Sequence, residues 1–458
     1  MRNPKALVVP FRFREGYPDE IVDQHTQLSL TLLDEMNLDY DLAENVIYPA
    51  QADKVWKDHS PINYDFLILL IPTWIEPVLV IRAVKPFSNK PMVVWGFGTF
   101  MHEGERVNLG SMPGAGVVKG SLRELGIQHE FIYQMPGSES INQKIKSKIE
   151  KIANVARAIT LLEQSRIVTI GYLFGGMALG DMDLLKMRSI FGPEIVEMDS
   201  YSLIRRMEKL DTVDETFKQN IEFVNQHLSN SLSNKTEKVT RMYSVLKQIV
   251  EENQAQALTL KCHFEISQEY GLTPCIPLSI LGNSIVASCE ADIPVVLTQL
   301  ILHYLSGGEI TTYADIHEIT DERLLVAACG FAPAGICIGN KIICDLPSDN
   351  PQGLGATYGD YITNKNYLRE GKLCMARILK DIDGGFTLHY ANGSSIGDIG
   401  RVSELGAPQY PFTEVELENG IDRFAHDMGS HHYAFVYADL AEELALFCEM
   451  KNIRLLIN

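Results

Sequence analysis

The chain lacks a basic surplus, a membrane-length apolar run and any close pair of cysteines. Its 458 residues carry a net charge of −19, whereas binding to nucleic acid or to an anionic membrane surface requires clustered Lys and Arg side chains. No stretch approaches the ~20 apolar residues that span a bilayer. None of the eight cysteines forms a CxxC motif, which disfavours a zinc ribbon and a disulfide framework. We therefore expect a soluble protein that binds neither nucleic acid nor membranes.

The first residues do not resemble a secretory signal. Arg2 and Lys5 are followed by an apolar run at residues 6–10 only, and this run is shorter than the apolar core of a signal peptide. The sequence therefore predicts a cytoplasmic protein.

Short apolar runs alternate with helical patterns over the first two thirds of the chain. Residues 66–72 are typical of a strand in a parallel sheet that is covered on both faces, and the same pattern restarts at residues 166–172. In the last third, short strand-like runs with Gly and Asp turns dominate. We predict an α/β fold, with two Rossmann-like α/β units at residues 1–160 and 161–290 and a β-rich α+β C-terminal domain at residues 291–458.

Acidic residues follow two strand-like runs in the middle of the chain. Glu265 comes after residues 258–262, and Glu290 and Asp292 come after residues 285–289. In parallel sheets, ligands bind at the carboxyl ends of the strands. Three acids at one point repel each other unless a cation neutralises them. Each acid alone is more commonly a solvated side chain, so the prediction of a site depends on their convergence.

Two adjacent histidines, His431 and His432, precede a strand-like run near the C-terminus. Because adjacent side chains project in different directions, at most one of them would face a given metal ion. The alternative interpretation is one half-buried and one exposed histidine. Carboxylates together with one imidazole suit Mn²⁺, or another divalent cation such as Mg²⁺, better than a thiophilic metal.

Four stretches in the second half of the chain form a family pattern in combination. They are KCHFEISQEYGLTPC, ASCEAD before a helix that ends in LSGG, TTYADI, and HHYAFVYADLAEELALFCEMKNI. Together they resemble the L-fucose/L-arabinose isomerase superfamily, and in particular its L-fucose isomerase-like branch. In the first half, mainly the α/β pattern and the length agree with this family.

The resemblance implies a metal site and its ligands. Glu265 and Asp292 match the two metal-binding acids of the family, and His432 matches its histidine ligand. Glu290 is a second candidate, because arabinose isomerases use the Glu of a similar Glu-x-Asp motif, and His431 is a secondary candidate beside His432. The resemblance also implies Mn²⁺ and a homo-oligomer, a trimer or a hexamer, whose site is closed by a neighbouring subunit's N-terminal domain.

The chain departs from the family pattern at two places. Some relatives carry His-Cys-Gly where this chain has Ala328, Cys329 and Gly330, which argues against a fourth ligand at this position. Many relatives carry Trp-Pro before the first acid, whereas this chain has His263 and Phe264. The second departure leaves the sugar specificity open.

The expected activity is aldose–ketose isomerisation of a pentose or a 6-deoxyhexose through a cis-enediol(ate) intermediate. Glu265 and Asp292 would both bind the metal and carry the proton between neighbouring carbons. One alternative is a non-catalytic sugar-binding or regulatory protein that retains the fold. A related sugar epimerase is the other, because the same intermediate would serve it.

Overall fold

The protein is described here by a computed structural model over residues 1–135, 137–320, 322–345, 361–397 and 411–458. It divides into two compact units, Met1–Thr160 and Leu161–Asn458. Residues 161–290 and 291–458 thus share one unit, and the three-domain division stays a prediction. None of the described helices is both long and apolar enough to cross a membrane.

The first unit is built on a five-stranded parallel sheet. Its central strands are buried along their whole length, as expected where helices cover both faces. The strands are Lys5–Pro10 (β1), Asp39–Leu42 (β2), Phe66–Ile71 (β3), Met92–Phe97 (β4), Phe100–His102 (β5), Glu105–Val107 (β6) and His129–Gln134 (β7). The sheet order is β2-β1-β3-β4-β7, and β5 and β6 form a separate hairpin. The helices are Asp19–Asp34 (α1), Pro49–Asp58 (α2), Pro77–Val84 (α3), Ser111–Glu124 (α4) and Glu139–Glu163 (α5).

The second unit begins with another parallel sheet. Its strands are Arg166–Ile170 (β8), Glu194–Met198 (β9), Ala257–Leu260 (β10) and Val286–Cys289 (β11), in the order β11-β10-β8-β9. Helices separate these strands in the sequence, as parallel pairing requires. They are Leu184–Phe191 (α6), Ser200–Lys209 (α7), Glu215–Gln226 (α8), Thr236–Asn253 (α9) and Cys275–Leu281 (α10), and a further helix, Ile293–Leu305 (α11), follows β11.

A closed β-barrel completes the second unit. The order β16-β19-β12-β13-β18-β17 becomes a ring because β16 also pairs with β17, and β20 adds in parallel to β17. The strands of this sheet are Thr311–Ile319 (β12), Leu324–Ala327 (β13), Gly371–Lys380 (β16), Phe386–Ile396 (β17), Phe412–Leu417 (β18), His432–Val436 (β19) and Arg454–Ile457 (β20). Cys344–Asp345 (β14) and Thr363–Asn364 (β15) form a separate two-stranded sheet. The helices are Ile421–Asp427 (α12) and Ala441–Lys451 (α13).

The predicted fold class is confirmed at the level of an α/β protein with parallel sheets and a β-rich C-terminal part. The finer assignment of the two α/β parts to the Rossmann type stays a prediction.

Two glycines of α4 provide a matched test of the packing in the first unit. A Cβ atom at Gly114 would lie 2.6 Å from the carbonyl oxygen of Thr73, whereas one at Gly116 would meet nothing within 4 Å. We expect Gly114→Ala to lower the free energy of unfolding by about 1–3 kcal/mol, because backbone atoms must shift. Gly116→Ala should raise it by about 0.5–1 kcal/mol through helix propensity.

Urea unfolding of the full chain, followed by circular dichroism, measures both changes. Equal stability of the two alanine variants would contradict the close approach of α4 to the segment after β3.

Candidate active site

The acidic segments meet at the carboxyl edge of the second parallel sheet. β10 and β11 are neighbours, with Leu260 opposite Cys289. Glu290 follows β11 directly, and Glu265 begins a single π-type turn, Glu265–Tyr270, shortly after β10. Both acids therefore follow adjacent parallel strands.

The backbone is unusual at both acid-bearing segments. Glu290 and Ala291 have φ values of 63° and 56°, and Phe264, just before Glu265, has a φ of 61°. Positive φ in a residue other than glycine costs of order 1–3 kcal/mol, and it persists only where surrounding structure enforces it. Such strain concentrates at functional sites, so these two turns are candidates for one.

The barrel places an aspartate and a histidine side by side. β19 begins at His432 and runs antiparallel to β12, in which Asp315 is its direct cross-strand partner. Side chains of directly opposed residues project to the same face of a sheet. The register of these two strands is therefore the reason that Asp315 contacts His432.

Each ring nitrogen of the buried His432 faces a carboxylate. Nδ1 lies 2.9 Å from Oδ2 of Asp292. Nε2 lies 3.1 Å from Oδ1 of Asp315 and 3.7 Å from Oε2 of Glu290. The Nε2–Oδ1 approach lacks hydrogen-bond geometry, and both atoms are buried without a hydrogen-bond partner. Buried polar atoms are nearly always satisfied, so this pair requires an explanation.

Both carboxylate oxygens of Asp292 accept hydrogen bonds from other groups of the protein. Oδ1 accepts from the backbone N–H of Val295 at 3.1 Å and from Nη2 of Arg377 at 3.3 Å. Oδ2 accepts from Nη1 of Arg377 at 3.0 Å and contacts Nδ1 of His432. A carboxylate offers about four lone-pair sites. Asp292 therefore caps α11 and orients His432, and a cation would bind it only in exchange for one of these partners.

Arg377 joins three elements of the second unit at this point. It lies in β16 with 1% of its side chain exposed, and it makes the ion pair with Asp292 at the start of α11. Its Nη1 also donates to the backbone carbonyl of His432, the first residue of β19, at 3.1 Å. Because both charges are buried, the loss of one partner would leave the other uncompensated.

The ionisation of the three central groups follows from their burial and neighbours. Burial raises the pKa of Glu290 to about 7, and the positive charge of His432 offsets part of this rise. Burial also disfavours the charged form of Asp292, but Arg377 and His432 outweigh it and hold the pKa below its usual range. Burial would lower the pKa of His432, but Asp292 and Asp315 outweigh it and raise the pKa to about 10. A proton on His432 therefore balances carboxylate charge here.

The donor set fits a hard divalent cation. One ligand atom from each of Asp315, His431 and His432 lies within 4.8 Å of the others, and Glu290 approaches His432 from a further side. Carboxylate oxygens with imidazole nitrogen suit Mn²⁺ or Mg²⁺. A cation that bound Nε2 of His432 and Oδ1 of Asp315 would replace the proton on His432, since a metal ligand must be deprotonated.

Glu265 is paired with a buried lysine. Nζ of Lys261 donates to Oε1 of Glu265 at 2.8 Å, and the same Nζ lies 3.6 Å from the ring centre of Tyr172. Burial raises the pKa of Glu265, but Lys261 outweighs it, so the net pKa is lowered. Oε2 of Glu265 is buried without a hydrogen-bond partner. Glu265 also lines a cavity of about 510 Å³, together with Tyr172 and Tyr201.

The structure thus brings most of the predicted site residues together. Asp292 and His432 are in contact, and Glu290 and His431 lie beside them. Among the described residues, Glu265 belongs to neither of the clusters of metal-ligating atoms, although it lies at the same sheet edge. The catalytic and metal-binding roles of these residues stay predictions.

Sequence analysis missed Asp315 and Arg377. Asp315 stands in the TTYADI stretch. Because alternate residues of a strand share one face, the sequence could have predicted that Asp315 lies on the same face as Tyr313. Arg377 is the one charged residue within the otherwise apolar run LCMARIL, and this could have drawn attention to it. Buried charges need a partner, but nothing in the sequence indicated that this partner is Asp292.

Comparison with known proteins finds similarity to sulfoquinovose isomerases. Sulfoquinovose isomerase of Priestia aryabhattai is 22% identical over 99% of this chain and 99% of that protein. The sulfoquinovose isomerase of Alkalicoccus urumqiensis is 21% identical over 96% of both chains. That of Clostridium sp. (strain MSTE9) is 24% identical over 47% of this chain and 48% of that protein. No family model matches the chain.

Similarity along nearly the whole chain confirms the prediction of an isomerase enzyme. The assignment to the L-fucose/L-arabinose isomerase superfamily is finer than these relatives show, and it stays a prediction.

The Arg377–Asp292 pair should stabilise the folded second unit. We expect Arg377→Met to lower the free energy of unfolding by about 3–5 kcal/mol, because it leaves the carboxylate of Asp292 buried without its guanidinium partner. The matched control is Arg423→Met, which removes the exposed Arg423 from its pair with the half-buried Asp427 at 3.6 Å. Its effect should stay within about 1 kcal/mol.

Guanidinium unfolding of both variants beside the unmodified chain measures the difference. Similar midpoints for the two methionine variants would show that the buried pair does not hold the fold.

Proposed function

We propose that this chain is a metal-dependent aldose–ketose sugar isomerase. The proposal is carried by one observation: Nε2 of His432 and Oδ1 of Asp315 are buried 3.1 Å apart without hydrogen-bond geometry, and Oε2 of Glu290 lies close by. Buried charges are paired or bind a metal, and a metal ion would take the place of the proton that pairs His432 with these carboxylates. Full-length similarity to proteins named as sugar isomerases supports the reaction class.

The ion would be held by side chains of the barrel and of the segment after β11. We assign Glu290, Asp315 and His432 as ligands, with Asp292 and His431 as further candidates. When bound, Mn²⁺ or Mg²⁺ supplies Lewis-acid stabilisation of negative charge on the sugar oxygens.

His432 binds as a neutral imidazole in this proposal. Its Nδ1–H donates to Asp292, which leaves the lone pair of Nε2 directed at Asp315 and Glu290. A carboxylate behind a metal-binding histidine fixes the tautomer and the ring orientation. Arg377 in turn fixes the carboxylate of Asp292.

Isomerisation moves one proton from C2 to C1 of the sugar and one from the O2 hydroxyl to O1. We assign the carbon-to-carbon transfer to Glu265, through a cis-enediol(ate) intermediate. Lys261 favours the carboxylate form of Glu265 and holds one of its oxygens, while the other is buried without a hydrogen bond of normal geometry. Asp292 remains the second candidate for this proton transfer, but its hydrogen bonds suit it better to orienting His432.

The proposed substrate is an aldose of the pentose or 6-deoxyhexose class. Sulfoquinovose, the sugar in the relatives' names, is a 6-deoxyhexose with a sulfonate at C6, so a sulfonated 6-deoxyhexose is the first substrate to test. A cytoplasmic location and a homo-oligomer, a trimer or a hexamer, belong to this proposal as well.

Removal of divalent ions should abolish turnover. After dialysis against a chelator, we expect no conversion of sulfoquinovose, pentoses or 6-deoxyhexoses, and recovery when Mn²⁺ is added. Because binding stabilises the folded state, Mn²⁺ at 100 times its Kd should raise the free energy of unfolding by about 2.7 kcal/mol. Elemental analysis, product analysis of the sugar panel and thermal unfolding measure these effects.

Three outcomes separate the alternatives. Full turnover without any divalent ion would refute the metal dependence. Sugar-dependent stabilisation without any product would identify a binding protein. A product that differs from the substrate only in configuration would identify an epimerase.

Two variants separate proton transfer from metal binding. We expect Glu265→Gln to fold, to bind Mn²⁺ and to lose about 10²–10⁴-fold in kcat, as is typical when a general acid–base group is removed. Asp315→Asn should instead weaken Mn²⁺ binding. The control is Glu269→Gln, which alters an exposed acid of the same π-type turn and should leave kcat unchanged. Near-normal kcat in Glu265→Gln would refute its assignment.

A further inference from the structure

A second cluster of ligand atoms adjoins the first and has a different chemistry. One ligand atom from each of Cys262, His263 and Glu290 lies within 4.8 Å of the others, and all three residues are buried. Sγ of Cys262 lies 3.2 Å from Nδ1 of His263. The cluster combines a thiol, an imidazole and a carboxylate.

The spacing suits a small tetrahedral ion. With metal–sulfur and metal–nitrogen bonds of about 2.3 and 2.0–2.1 Å, two donors on a tetrahedral Zn²⁺ lie about 3.5 Å apart. The observed separation of Sγ and Nδ1 is close to this value, so binding needs only a small displacement. Three protein ligands also leave the fourth position open, as in catalytic zinc sites.

Two of the donors lie in the turn that follows β10. Cys262 and His263 come directly before Phe264, which has a positive φ of 61°.

We propose that Cys262, His263 and Glu290 form a second cation site, selective for thiophilic divalent ions such as Zn²⁺ and Co²⁺. A thiolate ligand favours these ions over Mn²⁺ and Mg²⁺, which prefer oxygen. Binding replaces the thiol proton of Cys262, which is released to solvent, and no oxidant or reductant takes part.

Glu290 belongs to both donor sets. Its Oε2 lies 3.7 Å from Nε2 of His432, and its carboxylate is also within reach of Cys262 and His263. A thiophilic ion at the second site therefore competes for Glu290 with the ion proposed for catalysis. We expect Zn²⁺ to inhibit turnover in the presence of Mn²⁺; this expectation rests on the proposed function, whereas binding at the second site does not.

Titration of Co²⁺ into the metal-free, full-length protein tests the site directly, since a thiolate ligand produces a sulfur-to-cobalt charge-transfer band in the near ultraviolet. We expect this band and the release of a proton in the unmodified chain. Cys262→Ser should abolish the band. His263→Gln should weaken Co²⁺ binding by at least about 10–100-fold, which is the loss of affinity typical when a residue that hydrogen-bonds to a metal ligand is removed.

The matched control is Cys374→Ser, which alters a fully buried thiol of β16 outside the cluster and should keep the band. Circular dichroism and the unfolding midpoint establish that each variant is folded. Absence of the band in the unmodified chain, or its persistence in folded Cys262→Ser, would overturn the second site. Neither result bears on the Mn²⁺ site, whose oxygen and nitrogen donors give no such band.

Discussion

The ion pair of Arg377 with Asp292 is the interaction on which the candidate site depends. The guanidinium comes from a barrel strand, and the carboxylate begins the helix that follows the parallel sheet. The same pair positions His432 in two ways. Asp292 contacts the imidazole ring, and Arg377 donates to the backbone carbonyl of His432. Desolvation makes a buried pair expensive unless every lone pair and proton is used. Asp292 meets this condition through Val295, Arg377 and His432, whereas Nε of Arg377 is buried without a hydrogen-bond partner.

The two halves of the site differ in how far sequence could predict them. Glu290 and Glu265 follow neighbouring parallel strands, and the carboxyl-end rule needs only the order of apolar runs. Asp315 and Arg377 instead reach the site through antiparallel pairing within the barrel, whose register depends on contacts distant in sequence. A shift of one residue would have turned either side chain to the other face.

The partners of the charged side chains were the other feature that the sequence could not predict. Lys261 stands four residues before Glu265, but the two meet only because the turn at Phe264 brings them together. Likewise, His263 stands where many members of the resembled family carry an aromatic residue. In the structure, His263 places an imidazole nitrogen beside the thiol of Cys262. From the sequence, this difference from the family pattern only left the sugar specificity undetermined, whereas the structure shows that it adds a potential metal ligand.

Closure of the barrel has a consequence for how the finished enzyme arises. Asp315 and His432 become neighbours only when β19, close to the end of the chain, has paired with β12. Contacts between such distant segments form slowly, because the entropy of loop closure must be overcome first. A nascent or prematurely terminated polypeptide that lacks β19 therefore carries the acids of the sheet edge without the imidazole between them. Under the proposed function, a hard divalent cation would therefore find its imidazole ligand only in a chain in which β19 has been made and has paired with β12.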